Sequence, residues 1–559
     1  MELSNLTLEQ KIGQMFICGF PGTAADEGIK ALIAEHHLGG VIYFRRNIDS
    51  VEQLSRLSRE LQQLPRSTPE IPLFISMDQE GGMVARLDHD GVSRIQGNMA
   101  LGAANDLALT EEAATLAAKE LTALGINLNF APCVDVNNNP ANPVIGVRSF
   151  GEDPLRVAEH GAAAIRGYQN QGVSATAKHF PGHGDTAVDS HHGLASVPHS
   201  KERLYRVELP PFRKAIENGV DMIMTAHVIF PAFEPDGIPA TLSRRVLTGL
   251  LRNELGFEGI IITDCLEMHA ISKSCGIAEG AVRAIEAGAD IVLVSHTLEE
   301  QVRAIQTVLA AVQSGRLSEE QIDESVRRIL SLKQKRIGIG AGVGVGAATG
   351  AAAAGVAQES PPPGDCSNPL TPKEESEPLL RQIAERSVTL VSDASRNLPL
   401  DGGEPVLVIW PELRRRTEVD EPAVHRYTLA DAIAPYAEQV TLVTVGTFPD
   451  SGEIRDAIEQ SRNFKQIIVL TYTAEGEVST GQISLIQGLN EIHGSSIIVV
   501  STRNPYDINS FPEIGTYLCL YENRQYSLDA LAKVLFGQLR PQGKLPVGLN
   551  PRFPIGHGL

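Results

Sequence analysis

Between residues 1 and 337, short and nearly continuous apolar runs alternate with stretches whose apolar residues recur at helical spacing. The runs are QMFICGF (14–20), GVIYF (40–44), PLFISMD (72–78), NLNFAPCVDV (127–136), SATAKHF (174–180), DMIMTAH (221–227), GIIITDC (259–265) and DIVLVS (290–295). A strand that is apolar throughout is covered on both faces, as in a parallel sheet with helical crossovers. Eight such units in this length predict a closed (β/α)8 barrel. The competing arrangement is an open doubly wound sheet. No glycine-rich dinucleotide fingerprint follows the first run, which counts against it. A second set follows: SVTLVSD (387–393), PVLVIWP (405–411), QVTLVTVG (439–446), QIIVLTYT (466–473), SSIIVVST (495–502) and TYLCLY (516–521). These six runs with helices between them predict an open α/β sandwich domain.

The two sets are separated by GIGAGVGVGAATGAAAAGVAQESPPPGDCSNPL at 338–370, small residues and then a proline run with no hydrophobic period. That composition is a flexible linker. The chain therefore divides into a barrel at 1–337, a Gly/Ala/Pro-rich linker at 338–370 and an α/β sandwich at 371–559. The linker leaves open how tightly the two domains associate. Just before it, LSEEQIDESVRRILSLKQKR predicts a helix capped by Ser318.

Composition changes this picture little. The net charge of −20 argues against nonspecific binding to nucleic acid or an anionic membrane, and suits an enzyme acting on a neutral or weakly charged small molecule. Cysteines at 18, 133, 265, 275, 366 and 519 form no CxxC pair, so a reducing compartment is favoured. The N-terminus MELSNLTLEQKIGQMF has no basic segment leading into an apolar one, and no apolar run reaches transmembrane length. A cytoplasmic location is expected. The sequence carries no signal of oligomeric state.

The polar residues add chemistry. In a (β/α)8 barrel, chemistry gathers at the C-terminal ends of the strands. Asp78, Lys178, His179, His227 and Asp264 end apolar runs, and Ser295 and His296 follow the last one. A charge closing an apolar strand is solvated, paired or functional. Five strands ending this way predict one shared polar mouth. Asp264 interrupts GIIITDCLEM at the rim position, where a carboxylate can act as a nucleophile, for instance on an anomeric carbon; alternatively it is a structural carboxylate bonded to backbone amides. Asp78, Arg86 and Arg148 are candidates for holding sugar hydroxyls, or for rim ion pairs. DHD at 88–90 reads as an exposed turn.

The densest polar segment is KHFPGHGDTAVDSHHGL (178–194). Asp189 lies two residues before His191, so the carboxylate can orient the imidazole for proton transfer. Metal ligation and a satisfied loop network are the rival readings. His179, His183, His191, His192, Asp185 and Asp189 offer zinc donors. No HxH or HExxH spacing appears, and Lys178 counts against a nearby dication.

DQEGGMVARL (78–87), NFAPCVDV (129–136), IGVRSFGEDP (145–154), KHFPGHGDTAVDSHHGL (178–194), MTAHV (224–228) and GIIITDCLEM (259–268) together resemble family 3 glycoside hydrolases, in the β-N-acetylhexosaminidase branch. NPYDI (504–508) and GKLPVG (543–548) resemble that family's second domain. The resemblance implies a retaining enzyme that releases terminal β-linked N-acetylglucosamine from muropeptides, chitin oligomers or other glycoconjugates. It implies Asp264 as nucleophile, His191 as acid/base coupled to Asp189, and Asp78, Arg86, Arg148, Lys178 and His179 as the sugar-binding set. It implies no metal or organic cofactor. A β-glucosidase would draw its acid from the second domain, where Glu475 and Glu477 are available; the DSH pair makes them unnecessary, and they read as exposed loop charges. Phosphorolysis is a rival reaction, and a catalytically silent binder of cell-wall fragments is a rival outside enzymes.

Overall fold

A computed structural model describes residues 3–68, 70–187, 193–338, 370–413, 427–474 and 476–559. The eight N-terminal runs form a closed parallel barrel in sequential order. Its strands are β1 (Phe16–Cys18), β2 (Gly40–Tyr43), β3 (Phe74–Met77), β4 (Leu128–Asn129), β5 (Ser174–Phe180), β6 (Met222–Thr225), β7 (Ile260–Cys265) and β8 (Ile291–Val294). The barrel closes where Phe16 of β1 meets Val292 of β8 and Ile17 meets Gly40 of β2. All residues of β2, β3, β5, β6 and β8 are buried, as strands covered on both faces must be.

All the barrel strands but β5 are shorter than their apolar runs. The run at 127–136 contributes two residues to β4 and then leaves the ladder. The ladder register also slips between Ala177 and Phe180 on β5 and between Ile262 and Cys265 on β7. Such irregularities re-aim side chains at barrel rims. Here they fall at Lys178–His179 and at Asp264.

Helix ends follow local chemistry. The Ser318 hydroxyl accepts from the Gln321 amide at the start of Glu319–Arg336, and the last turn carries Lys333, Lys335 and Arg336. A cap of this kind contributes about 1 kcal/mol, and the terminal cations complement the helix dipole. Lys333 is fully buried, with Nζ 2.7 Å from both Gln14 Oε1 and the Gly39 carbonyl.

The C-terminal runs form one sheet in the order β9-β14-β13-β12-β10-β11. The strands are β9 (Thr389–Asp393), β10 (Val406–Glu412), β11 (Val440–Gly446), β12 (Gln466–Thr471), β13 (Ile497–Ser501) and β14 (Thr516–Cys519). Five run parallel, and β9 pairs antiparallel with β14. The expected linker lies, from 339 to 369, outside the described residues. Among the described residues, no helix is long and apolar enough to cross a membrane.

The domains share a core. Met83, Met99, Ala100, Ala103 and Val147 of the barrel pack in one apolar cluster with Leu407, Val469, Val499 and Tyr517 of the sheet. Hydrogen bonds reinforce the contact: Gly97 N–H to Glu522 Oε2 (3.1 Å), Lys544 N–H to Ala103 O (3.0 Å) and Glu152 N–H to Pro546 O (3.0 Å).

Asp507 is buried in the C-terminal domain and accepts from the Thr471 hydroxyl at 2.6 Å. Burial pushes its carboxyl up to about 7. The folded chain then keeps a proton that the unfolded chain has lost. This contribution to stability is complete below the ordinary carboxylate range and is lost as pH rises through about 7. Glu120 titrates in the same sense, also pushed by burial to about 7. Thermal melts of Asp507→Asn and the parent between roughly pH 5 and pH 8 check this. The variant loses less Tm across that interval, and an identical slope would refute the assignment.

Candidate active site

The C-terminal ends of β3, β4 and β5 deliver a compact ionic network. Asp78 follows β3 and Lys178 lies near the end of β5, with Lys178 Nζ 2.7 Å from Asp78 Oδ1. The same Nζ lies 2.6 Å from Oε1 of Glu80. Glu80 takes Arg148 as a fork, with Nη2 2.8 Å from Oε1 and Nε 3.0 Å from Oε2. Arg148 Nη1 also donates to the Val144 carbonyl at 3.2 Å. Arg86 Nη2 lies 3.6 Å from Asp78 Oδ2. Asp78, Arg86 and Arg148 are thus ion-paired, as the rim-pair reading expects, and they cluster at the mouth.

Burial makes these charges depend on one another. It would push the Glu80 carboxyl up, but Arg148 and then Lys178 outweigh it and hold the group well below the usual carboxylate range. Burial likewise opposes the Lys178 charge, and Asp78 and Glu80 restore it, leaving the ammonium more basic than usual.

His179 belongs to the same network. Its Nδ1 lies 2.7 Å from Asp135 Oδ2, and its Nε2 faces Arg148 Nη2 at 3.4 Å. The carboxylate fixes the proton on Nδ1, which leaves the Nε2 lone pair toward the guanidinium. Asp135 also accepts the His183 amide at 2.6 Å and the His179 amide at 3.2 Å. Its own burial would raise the carboxyl, but His179 and His183 bring it down to about 2. Burial lowers His183 to about 4.

Asp264 stands across the mouth at the end of β7, half-buried, with Oδ1 accepting its neighbour's amide, Cys265 N–H, at 2.7 Å. The next carbonyl, Cys265 O, accepts from His227 Nε2 at 3.0 Å, and His227 Nδ1 lies 2.8 Å from the Thr241 hydroxyl. His227 is thus a buried brace for the end of β7. Ser295 and His296 follow β8, and their amides donate to Glu267 at 2.8 and 2.6 Å.

Of the donors of the zinc reading, the described ones, His179, His183 and Asp185, are bonded to other groups. Asp135 holds His179 Nδ1, His183 Nδ1 lies 2.9 Å from the Thr186 hydroxyl, and Asp185 Oδ2 lies 2.5 Å from His199 Nε2. Ligand atoms of Cys133, Asp135 and His179 lie within 4.8 Å of one another, as do those of Cys265, Glu267 and His296. An arginine adjoins each group: Arg148 at His179, and Arg46 Nη1 3.0 Å from His296 Nδ1.

His191 and Asp189 lie outside the described residues, as do His192 and Glu475. Glu477 is exposed. The DHD segment departs from expectation at its first residue: the Asp88 side chain is 10% exposed and pairs with Arg94 at 2.7 Å.

Sequence reasoning missed Glu80 and Asp135. Glu80 stands two residues beyond Asp78, the spacing that returns an extended chain to the same side. Asp135 is the lone carboxylate in an apolar run that ends in the mouth.

The chain matches the Glycosyl hydrolase family 3 N terminal domain over residues 7–332 and the Glycosyl hydrolase family 3 C-terminal domain over residues 388–552. Beta-hexosaminidase A of Pseudoalteromonas piscicida is 31% identical, over 95% of this chain and 93% of that protein. The Beta-N-acetylglucosaminidase/beta-glucosidase of Cellulomonas fimi is 28% identical, over 98% and 94% of the two chains. The solved structure of a family 3 beta-N-acetylglucosaminidase from Paenibacillus sp. str. FPU-7 superposes with a TM-score of 0.89 at 49% identity, covering 98% of this chain and 99% of that one. A barrel with an ionic mouth, joined to a sheet domain that shares its core, is thus accompanied by end-to-end sequence likeness, and the chain belongs to glycosyl hydrolase family 3, an enzyme that cleaves glycosidic bonds in a carbohydrate substrate.

Proposed function

We propose that the chain is a retaining β-N-acetylhexosaminidase that releases terminal β-linked N-acetylglucosamine from glycoconjugates such as muropeptides or chitin oligomers. The observation that carries this reading is the array of Asp78, Lys178, Arg148 and His179 opposite Asp264 at one barrel mouth. Support for the acetamido sugar comes from the relatives named above, in particular the Paenibacillus enzyme at 49% identity.

In this reading Asp264 attacks the anomeric carbon. The bond from that carbon to the glycosidic oxygen breaks, and His191, oriented by Asp189, gives its proton to the departing oxygen. Water then loses a proton to His191 and attacks the same carbon, releasing Asp264 with net retention. Asp78, Arg86, Lys178, Arg148 and His179 hold the ring hydroxyls as positive charge develops. No step calls for a metal or an organic cofactor. The described cysteines, Cys18, Cys133, Cys265, Cys275 and Cys519, are all free, which suits a reducing cytoplasm.

Release of 4-nitrophenol from the β-N-acetylglucosaminide and the β-glucoside, with and without EDTA, tests the reading. The acetamido sugar is expected to turn over faster, without effect of EDTA. Preference for glucose, the second activity in the name of the Cellulomonas relative, would overturn the specificity. Asp264→Asn is expected to lower kcat by at least about a thousandfold. An unimpaired variant would remove Asp264 from the nucleophile role. Asp135→Asn frees the His179 ring to change tautomer. It is expected to lower kcat/KM roughly ten- to a hundredfold, the scale of a lost charge-assisted hydrogen bond. A value equal to the parent's would leave Asp135 with a folding role only.

A further inference from the structure

We propose that Glu80 is a positioning residue that sets the spacing of Lys178 and Arg148, and through them the discrimination between sugars at the hydroxyls far from the anomeric carbon. This rests on the reading of the mouth as a sugar site given above.

Glu80 does not itself face the mouth. Its side chain is 2% exposed, and both oxygens are occupied: Oε1 by Lys178 Nζ and Arg148 Nη2, Oε2 by Arg148 Nε. It acts through what it holds. Lys178 Nζ spends two of its three N–H groups on Asp78 and Glu80, which fixes the direction of the third. The paired contacts to Arg148 fix the plane of the guanidinium. The two cations repel each other, and Glu80 is the carboxylate that contacts both.

The backbone on either side of Glu80 is pinned. Gln79 N–H donates to Asn129 Oδ1 and Gln79 O accepts from Asn129 Nδ2, each at 2.9 Å. Gly82 N–H donates to Ile95 O at 2.9 Å. Gly82 has φ +54°, and a Cβ there would sit 2.5 Å from Gly97 Cα, so the chain turns where only glycine fits. Glu80 is therefore held from both sides, and little slack remains to absorb a change in its charge.

The barrel geometry says which part of the sugar is read. The ionic network sits on β3, β4 and β5, and Asp264 stands on β7, across an eight-stranded mouth. With the anomeric carbon at Asp264, the hydroxyls on the far side of the ring, O3 and O4, are the ones directed away from β7, toward the side of the mouth that carries Lys178 and Arg148. A site built to bond a hydroxyl discriminates strongly against a sugar that presents it elsewhere.

The test compares 4-nitrophenyl β-N-acetylglucosaminide with its C4 epimer, the β-N-acetylgalactosaminide, on parent, Glu80→Gln and Glu80→Asp, with Tm for each. In Glu80→Gln, KM for the gluco sugar rises and the gluco/galacto ratio of kcat/KM falls roughly ten- to a hundredfold. Glu80→Asp keeps the charge on a shorter arm and restores part of the ratio. A folded Glu80→Gln with an unchanged ratio, or with kcat lost equally on both sugars, overturns the proposal. If Glu80→Gln does not fold, Glu80→Asp decides: an unchanged ratio refutes, and a reduced one supports. Calorimetric binding of free N-acetylglucosamine and N-acetylgalactosamine to the same proteins gives the ratio of ground-state affinities without turnover, and that ratio falls in the same direction in Glu80→Gln. An inactive parent that still binds with Glu80-dependent discrimination would sink the hydrolase reading and leave this one standing.

Discussion

Lys178 places an ammonium where 2% of its side chain meets solvent, and two carboxylates make that tolerable. Taking such charges out of water costs several kcal/mol each, and pairing recovers this only when the geometry is good. Removing one partner of a buried pair leaves the other under-compensated, and breaking such a pair costs about 3–5 kcal/mol. The arrangement is therefore weak as a source of stability and strong as a constraint. Asp78, Glu80, Lys178 and Arg148 hold one another in place, and the rest of the mouth is organised around their position. His179 borders Arg148, Asp135 fixes His179, and the amide of His183 is held by the same Asp135.

Much of this was legible in the sequence because burial leaves a plain mark. Strands covered on both faces must be apolar throughout, so eight apolar runs became eight barrel strands in order. A charge that closes such a run stands out, which singled out Asp78, Lys178, His179, His227 and Asp264. The role of His227 was not legible: its contacts with Thr241 and Cys265 depend on where other strands end. Glu80 and Asp135 were hidden for the same reason. Their partners lie 68 and 44 positions away, and only the closed barrel brings them together. Asp88 looked like part of an exposed turn because its local neighbours are polar, while its Arg94 pair and its burial are tertiary facts.

The second domain was legible as a sheet but not as a neighbour. A linker of small residues says nothing about contact. The contact comes from side chains on barrel loops: Met83 follows the Glu80 segment and Val147 adjoins Arg148, and both pack into the sheet domain's core. Glu522 of that domain holds Gly97, the residue against which Gly82 is packed. The loops at the barrel mouth are thus clamped between the barrel beneath and the sheet beside them.

That shared core has a practical side. A chain cut after residue 338 would turn Met83, Met99 and Val147 outward as a contiguous greasy patch, with no sheet left to cover it. Such a fragment would meet a solubility limit before any chemical one, and shrinking this protein to its barrel would require repainting that patch with polar side chains first.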